Sequence, residues 1–360
     1  MKEGWEVKRL GEVCEITMGQ SPSSESYNDI GRGMPFFQGC SDFGKLYPHV
    51  TTYCDMPKKM ADINDVLISV RAPIGTLNIA NLHCCIGRGL ASVREIKGLS
   101  CYKYLYFFLL KSKEELQEKG IGATFKAIGK DALLNFPILV PSIEEQSQIV
   151  EELDLLSNII EKKRQQLSEL DNLAQSIFYD MFGDPVTNEK GWEVKTVGQL
   201  FELKAGKAIK ANELVNEYED GLYACYGGNG IRGYIPKFSH SGCYPIIGRQ
   251  GALCGNVNLA KGDFYATEHA VVVSCNGNAD AVWTYYCMVL MNLNRYAKGV
   301  AQPGISVNVI NAVNIILPSL ELQQLFAQKI KAIEKQKALI KQSIAETEEL
   351  FNSRMDYYFS

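Results

Sequence analysis

No apolar run in this chain approaches the roughly 20 residues that a membrane-spanning helix needs. The polar opening Met1-Lys2-Glu3-Gly4-Trp5-Glu6 has no signal-peptide core, so the expected compartment is the cytoplasm. Histidine is scarce: His49, His83, His240 and His269 are scattered without metal-ligand spacing, which leaves them structural or surface roles. The cysteines number eleven, yet no pair forms Cys-x-x-Cys and Cys84-Cys85 are adjacent. That pattern suits neither a disulfide framework nor a zinc site, and buried reduced thiols are expected. Catalytic signatures are missing as well. Gly248-Arg249-Gln250-Gly251-Ala252 lacks the Gly-Lys-Ser/Thr ending of a phosphate loop, and no Asn-Pro-Pro-Tyr or Asp-Pro-Pro-Tyr occurs. Gly228-Asn229-Gly230-Ile231-Arg232-Gly233 spells G-x-G-x-x-G, but Tyr234-Ile235-Pro236 follows, and the proline forbids the helix on which a phosphate would rest. A glycine-rich turn between strands is expected there. The chain reads as a non-enzyme with no metal or cofactor of its own.

A basic surplus is missing too. Lys and Arg total 37 against 41 Asp and Glu, a net charge of −4, whereas a chain that neutralised many phosphates alone would be markedly basic. The distribution is uneven. Residues 1–141 carry 17 basic against 15 acidic side chains, 185–318 carry 11 against 10, and 319–360 balance at 6 against 6. The negative charge comes from residues 142–184, with 3 against 10. This acidic stretch is either a solvated helix face or a surface for partners that supply positive charge.

What is present is a text written twice. Gly4-Trp5-Glu6-Val7-Lys8 returns 187 residues later as Gly191-Trp192-Glu193-Val194-Lys195, and Pro141-Ser142-Ile143-Glu144 returns 177 residues later as Pro318-Ser319-Leu320-Glu321. A chain of 360 residues, 46% of them hydrophobic, is long enough for two such units to bury separate cores. The divisions follow as domains at 1–141 and 185–318, each with a helical spacer, at 142–184 and 319–360. Ile149, Leu153, Leu156, Ile160, Lys163, Leu167, Leu170, Ala174, Ile177 and Met181 alternate steps of four and three, the seam of a coiled coil. Phe326, Ile330, Ile333, Lys337, Ile340, Ile344, Thr347, Phe351, Arg354 and Tyr358 repeat that seam. A lysine within each seam weakens the pair but penalises wrong registers. Ser142 and Glu145 form a capping box, and Gly183-Asp184-Pro185 stops the first helix. About 40 residues reach roughly 60 Å. Two such helices can pair antiparallel, with the domains at opposite ends; packing of each helix on its own domain is the alternative.

Between the helices, short β-rich runs at Asp65–Arg71, Thr76–Ala80 and Ala270–Ser274 are bounded by Gly, Pro and Asn, and Tyr102–Leu116 and Trp283–Leu293 read as one helix per unit. The expected fold is α+β: two duplicated domains, each followed by a long helix, the helices paired as an antiparallel coiled coil.

A specific resemblance rests on the order of motifs. Gly4-Trp5 with Leu10-Gly11, then Arg71-Ala72-Pro73-Ile74-Gly75, Gly122-Ala123-Thr124-Phe125-Lys126-Ala127-Ile128, and Phe136-Pro137-Ile138-Leu139-Val140-Pro141 entering a helix resemble the DNA-specificity (S) subunit of Type I restriction-modification enzymes. The second half repeats the series as Gly191-Trp192, Tyr226-Gly227-Gly228-Asn229-Gly230, Arg249-Gln250-Gly251, Gly299 to Ile305 and Ile315-Ile316-Leu317-Pro318. Two departures mark the second unit: Gly198 follows Val197 where the first has Leu10-Gly11, and Ala301-Gln302-Pro303-Gly304 replaces Thr124-Phe125-Lys126. The resemblance implies a non-catalytic protein whose two target-recognition domains each read half of a split double-stranded DNA sequence. It also implies helices that measure the unread spacer and dock two methyltransferase (M) subunits, through which motor-nuclease (R) subunits join. S-adenosylmethionine, ATP and Mg would then belong to those partners. Base readout calls for Arg, Lys, Asn and Gln on loops that enter the major groove. The candidates are Gln20, Ser21, Gln38, Arg71, Arg88 and Lys126 in the first unit and Lys207, Asn229, Arg232, Arg249, Gln250 and Gln302 in the second. A coiled-coil scaffold with duplicated protein- or carbohydrate-binding domains is the other reading.

Overall fold

The computed structural model describes residues 4–122, 126–299 and 303–360. The chain forms two compact units, Met1–Lys162 with Ser343–Ser360 and Lys163–Gln342. Each unit is opened and closed by the same device. Glu6–Arg9 pairs antiparallel with Pro137–Val140, and Glu193–Thr196 with Asn314–Leu317, so the chain enters each unit beside the strand that leads out into a long helix.

In the first unit Cys14–Met18, Leu90–Glu95, Val66–Ser69 and Leu77–Ile79 form a four-stranded sheet, and a second sheet is built around Met34–Phe37 and Cys84–Ile86. The second unit merges these two sheets into one of six strands. The cause is local: Leu77–Ile79 and Cys84–Ile86 are separate strands, whereas their counterpart Val257–Ala266 continues without a break. The helix expected over Tyr102–Leu116 is divided at Ser112 into Tyr102–Lys111 and Lys113–Glu118, a bend that turns Leu116 into the core. That expected over Trp283–Leu293 is Ala281–Leu290, ended by Asn292 in the left-handed region at φ 50°. All eleven cysteines are free. Most are buried, and burial pushes the Cys14 and Cys84 thiols up to about 12, but Cys243 is exposed against expectation.

The long helices run Ile143–Phe182 and Leu320–Phe359. The first starts at the expected capping box, with the Glu145 N–H donating to Ser142 Oγ at 3.2 Å and the Ser142 N–H to Glu145 Oε2 at 3.0 Å. The second keeps one half of it, Leu322 N–H to Ser319 Oγ at 3.5 Å. The first leaves through Gly183, at φ 74°. Within each unit the two helices pair antiparallel: Ile149 and Leu153 share a core with Met355 and Phe359, and Ala174, Phe178 and Phe182 share one with Phe326, Ile330 and Ile333. Glu152 accepts from Arg354 Nη2 at 3.0 Å and from the Tyr358 hydroxyl at 2.6 Å, which hold its carboxyl below the ordinary range. Lys337 reaches Asp171 at 2.7 Å, so this seam lysine is matched by an acid of the facing helix.

Burial corrects the expected seam at its ends. Leu156, Ile160, Ile330 and Ile333 are buried, and Lys163, Leu167, Leu170, Ile340, Ile344, Thr347 and Phe351 are half-buried, as a two-helix seam requires. At the tips, however, Ile177, Met181, Arg354 and Tyr358 are only half-buried, and Phe178, Phe182, Met355 and Phe359, one position on, carry the core. The seam steps at 3.5 residues per turn only while a helix faces another helix; where it meets a domain the 3.6-residue period returns and the buried face shifts. Phe182 then meets Trp283 at 6.2 Å, and Phe359 meets Tyr104 at 5.3 Å.

A pair of buried glutamines went unread in the sequence. Gln146 Oε1 accepts from the Cys101 N–H at 3.0 Å while its Nε2 donates to Leu99 O at 2.9 Å and Pro141 O at 3.1 Å. Gln323 accepts from the Asp280 N–H and donates to Pro318 O, both at 2.9 Å. Each therefore bolts a long helix to the start of its domain helix. Removing one partner leaves buried backbone groups unsatisfied, which costs about 1–3 kcal/mol. Gln146→Ala and Gln323→Ala are each expected to lower stability by that amount in denaturant unfolding, and a loss below about 0.5 kcal/mol would count against the bolt.

Candidate nucleic-acid interface

Most of the described candidate residues sit on loops tied together by a ladder of backbone hydrogen bonds; Arg232 lies in the strand Gly230–Ile235. In the first unit Gly19 N–H bonds Leu90 O at 2.9 Å, Gln20 N–H bonds Ile86 O at 2.9 Å, and Gly87 N–H bonds Phe37 O at 2.8 Å. Val70 N–H reaches Gly89 O at 2.9 Å, Ile128 N–H reaches Val70 O at 2.9 Å, and Ala72 N–H reaches Lys126 O at 3.2 Å. The second unit repeats every rung. Gly206 N–H bonds Ala270 O at 3.0 Å, Lys207 N–H bonds Ala266 O at 3.1 Å, Thr267 N–H bonds Tyr226 O at 2.9 Å, and Arg249 N–H bonds His269 O at 3.0 Å. Ile305 N–H to Arg249 O and Gly251 N–H to Pro303 O, both at 3.0 Å, complete it. Loop backbones that leave water need such partners, and here the loops supply them to one another.

This ladder sets the true correspondence between the units. Gln250 occupies the place of Arg71, since each bridges the residue just before its loop isoleucine, Gly304 and Ala127. Arg249 stands where the first unit has Val70. Lys207 matches Gln20, and Pro303 matches Lys126. The backbone is shared while the side chains differ.

Ser21, Gln38 and Arg88 converge on a cleft of about 510 Å³ whose other walls include Tyr27, Phe36, Asp42 and Thr52. Gln38 Nε2 donates to Ser21 Oγ at 3.1 Å, the Arg88 N–H donates to the same oxygen at 3.2 Å, and Asp42 Oδ2 accepts from the Gln38 N–H at 2.6 Å. Tyr27 stacks on Phe36 with centroids 4.8 Å apart, and burial raises its phenol. Gln20 is exposed beside this cleft, and Arg71 and Lys126 are exposed on neighbouring loops of the ladder. In the second unit Asn229, Arg232 and Gln250 line one cavity of about 620 Å³ with Gly228, Leu253 and His269. Asn229 Oδ1 accepts from Asn256 Nδ2 at 3.2 Å. Lys207 is exposed outside that lining, Arg249 is half-buried in the ladder, and Gln302 lies outside the described residues. The supposed dinucleotide motif is a hairpin, with Tyr223–Gly227 and Gly230–Ile235 joined by Gly228-Asn229. Sequence reasoning missed Tyr27, Phe36, Asp42 and Thr52, which no spacing links, and His269, set aside as isolated.

Each unit thus carries a candidate platform: Ser21, Gln38 and Arg88 in the first, Asn229, Arg232 and Gln250 in the second. The chain belongs to the type I restriction modification DNA specificity domain family, whose model matches residues 2–172 and 189–349. It is similar to the type I restriction enzyme EcoprrI specificity subunit of Escherichia coli, 33% identical over 90% of this chain and 86% of that protein. The putative MjaX specificity subunit of Methanocaldococcus jannaschii is 41% identical over 49% of this chain and 42% of its own length. The fold matches a crystal structure of the type I restriction-modification system S subunit from M. genitalium, with a TM-score of 0.66 over 99% of this chain and 96% of that one, at 15% identity. Its part is therefore that of a specificity component and not of a catalytic one. No helix among the described residues is long and apolar enough to cross a membrane.

The ladder depends on close approach at two glycines. A Cβ on Gly19 would lie 2.2 Å from Gly87 O, and one on Gly206 2.0 Å from Ala266 O. Gly19→Ala and Gly206→Ala are each expected to cost about 1–3 kcal/mol in thermal unfolding, since the backbone must move to admit the methyl group. Gly39→Ala, which meets open space, is the control and should stay within about 0.5 kcal/mol.

Proposed function

We propose that this chain reads a bipartite double-stranded DNA target, one unit per half-site, and docks two methyltransferase subunits, through which motor-nuclease subunits join. The observation that carries this is the repeated loop ladder with unlike side chains: the same frame presents two different sets of donors and acceptors. Arg and Gln suit guanine and adenine edges in the major groove, and Asn suits adenine. The chain holds no cofactor in this reading; S-adenosylmethionine, ATP and Mg act in the partners, in the cytoplasm. The net charge of −4 agrees, because partners that embrace the duplex then provide most of the phosphate neutralisation. Leu173 and Leu350, 47% and 50% exposed at equivalent places on the two long helices, offer two like partners the same apolar contact.

Replacing residues 1–141 by the equivalent domain of a relative, with Tyr104 and Phe108 kept to receive Phe359, should change one half of the methylated sequence and leave the other as it was. Methylome sequencing of a host expressing the system checks this; a change in both halves would mean joint reading.

The helices act in this reading as a ruler. Four residues inserted after Gln165 add roughly 6 Å of helix, against about 3.4 Å per base pair. Both half-sites should persist, and the unread centre should lengthen by about one or two base pairs. Unaltered spacing with full methylation would show that the partners set the separation.

A further inference from the structure

One tight turn is the same piece of backbone in both units. Leu90 N–H closes Gly87-Arg88-Gly89-Leu90 onto Gly87 O at 3.0 Å, and Ala270 N–H closes Thr267-Glu268-His269-Ala270 onto Thr267 O at 3.0 Å. The flanking rungs described above hold each turn from both sides, so its second residue leaves the frame in the same way in each unit. In the first unit that residue is arginine. In the second it is glutamate.

Arg88 lines the cleft of Ser21 and Gln38. Glu268 Oε1 lies 3.2 Å from His269 Nε2, and its Oε2 is buried without a hydrogen-bond partner. The Glu268 side chain is 39% exposed, beside His269, which lines the cavity of Asn229, Arg232 and Gln250. Beside a duplex such a carboxylate would be repelled by phosphate, a cost that an amino donor on a base edge offsets.

Resting on the DNA-reading function proposed above, we infer that this turn residue reads one base in each half-site, and that the two units read opposite chemistry. The Arg88 guanidinium donates to the O6 and N7 acceptors of a guanine. The Glu268 carboxylate accepts from the exocyclic amino group of a cytosine or adenine, and rejects guanine and thymine at that position because they present carbonyl oxygens.

The test uses the chain assembled with its methyltransferase partners. Methylome sequencing defines the wild-type motif, and duplexes carrying that motif with single base pairs replaced then compete for the wild-type, Glu268→Gln and Arg88→Gln complexes. Glu268→Gln is expected to lower discrimination about tenfold or more at one position, a cytosine or adenine, in one half-site. Arg88→Gln should act likewise at a guanine of the other half-site. Glu268→Asp, which keeps the carboxylate, should retain the base preference with weaker binding, and it decides the matter if Glu268→Gln fails to fold. A uniform change across all duplexes, no change at any position, both substitutions acting in the same half-site, or an Arg88→Gln effect confined to an A·T pair would overturn the inference while leaving bipartite reading intact. A wild-type complex without any bipartite motif would overturn the function itself.

Discussion

A loop that turns its backbone away from water must find acceptors for its N–H groups, and in each unit of this chain the acceptors are the carbonyls of neighbouring loops. That constraint organises the loops of the candidate interface. Phe37, Val70, Gly89 and Ile128 in one unit, and Tyr226, Arg249, His269 and Ile305 in the other, are tied in the same order by bonds of 2.8 to 3.0 Å. A frame held through its main chain is largely indifferent to the side chains it carries. Arginine, glutamate, glutamine and proline therefore exchange between the units without disturbing the turns.

The long helices meet a second constraint. A two-helix seam with half-buried residues at its middle, such as Leu167 and Ile344, offers little apolar burial along much of its length. Stability comes from the ends, where Phe182 and Phe359 enter aromatic cores and where Gln146 and Gln323 satisfy backbone groups that no water reaches. The ion pair of Lys337 with Asp171 adds alignment more than energy, because an exposed acid is well screened. Within each unit the helix face turned away from the core stays exposed, with Leu173 in one and Leu350 in the other.

Much of this was legible in the residues. The duplication, the heptad seam, the capping box at Ser142 and the hairpin at Gly228-Asn229 all rest on local spacing or on a single strong steric rule, such as the proline at 236. The deeper positions of Phe178 and Met355 were not, because the shift from helix-facing to domain-facing period depends on what each turn meets. Gln146 and Gln323 passed unnoticed for a similar reason: a glutamine beside a capping box looks solvated until its backbone partners are brought around it. Half of the interface candidates in the first unit gather at one cleft. Arg249 instead sits half-buried in the ladder, since a motif match one residue out of register cannot be detected without the hydrogen bonds that define the register.

By itself, then, the sequence determined that this protein is a duplicated α+β chain on matched helices, with the order of motifs that places it in its family. Periodicity, repetition and turn chemistry are properties of neighbouring residues, and they survive being read in one dimension. Only the tertiary structure decided which residues stand in equivalent places. Arg88 and Glu268 occupy one position of a shared turn although nothing around them matches, because equivalence here is conferred by backbone partners distant in the chain and not by the side chains themselves.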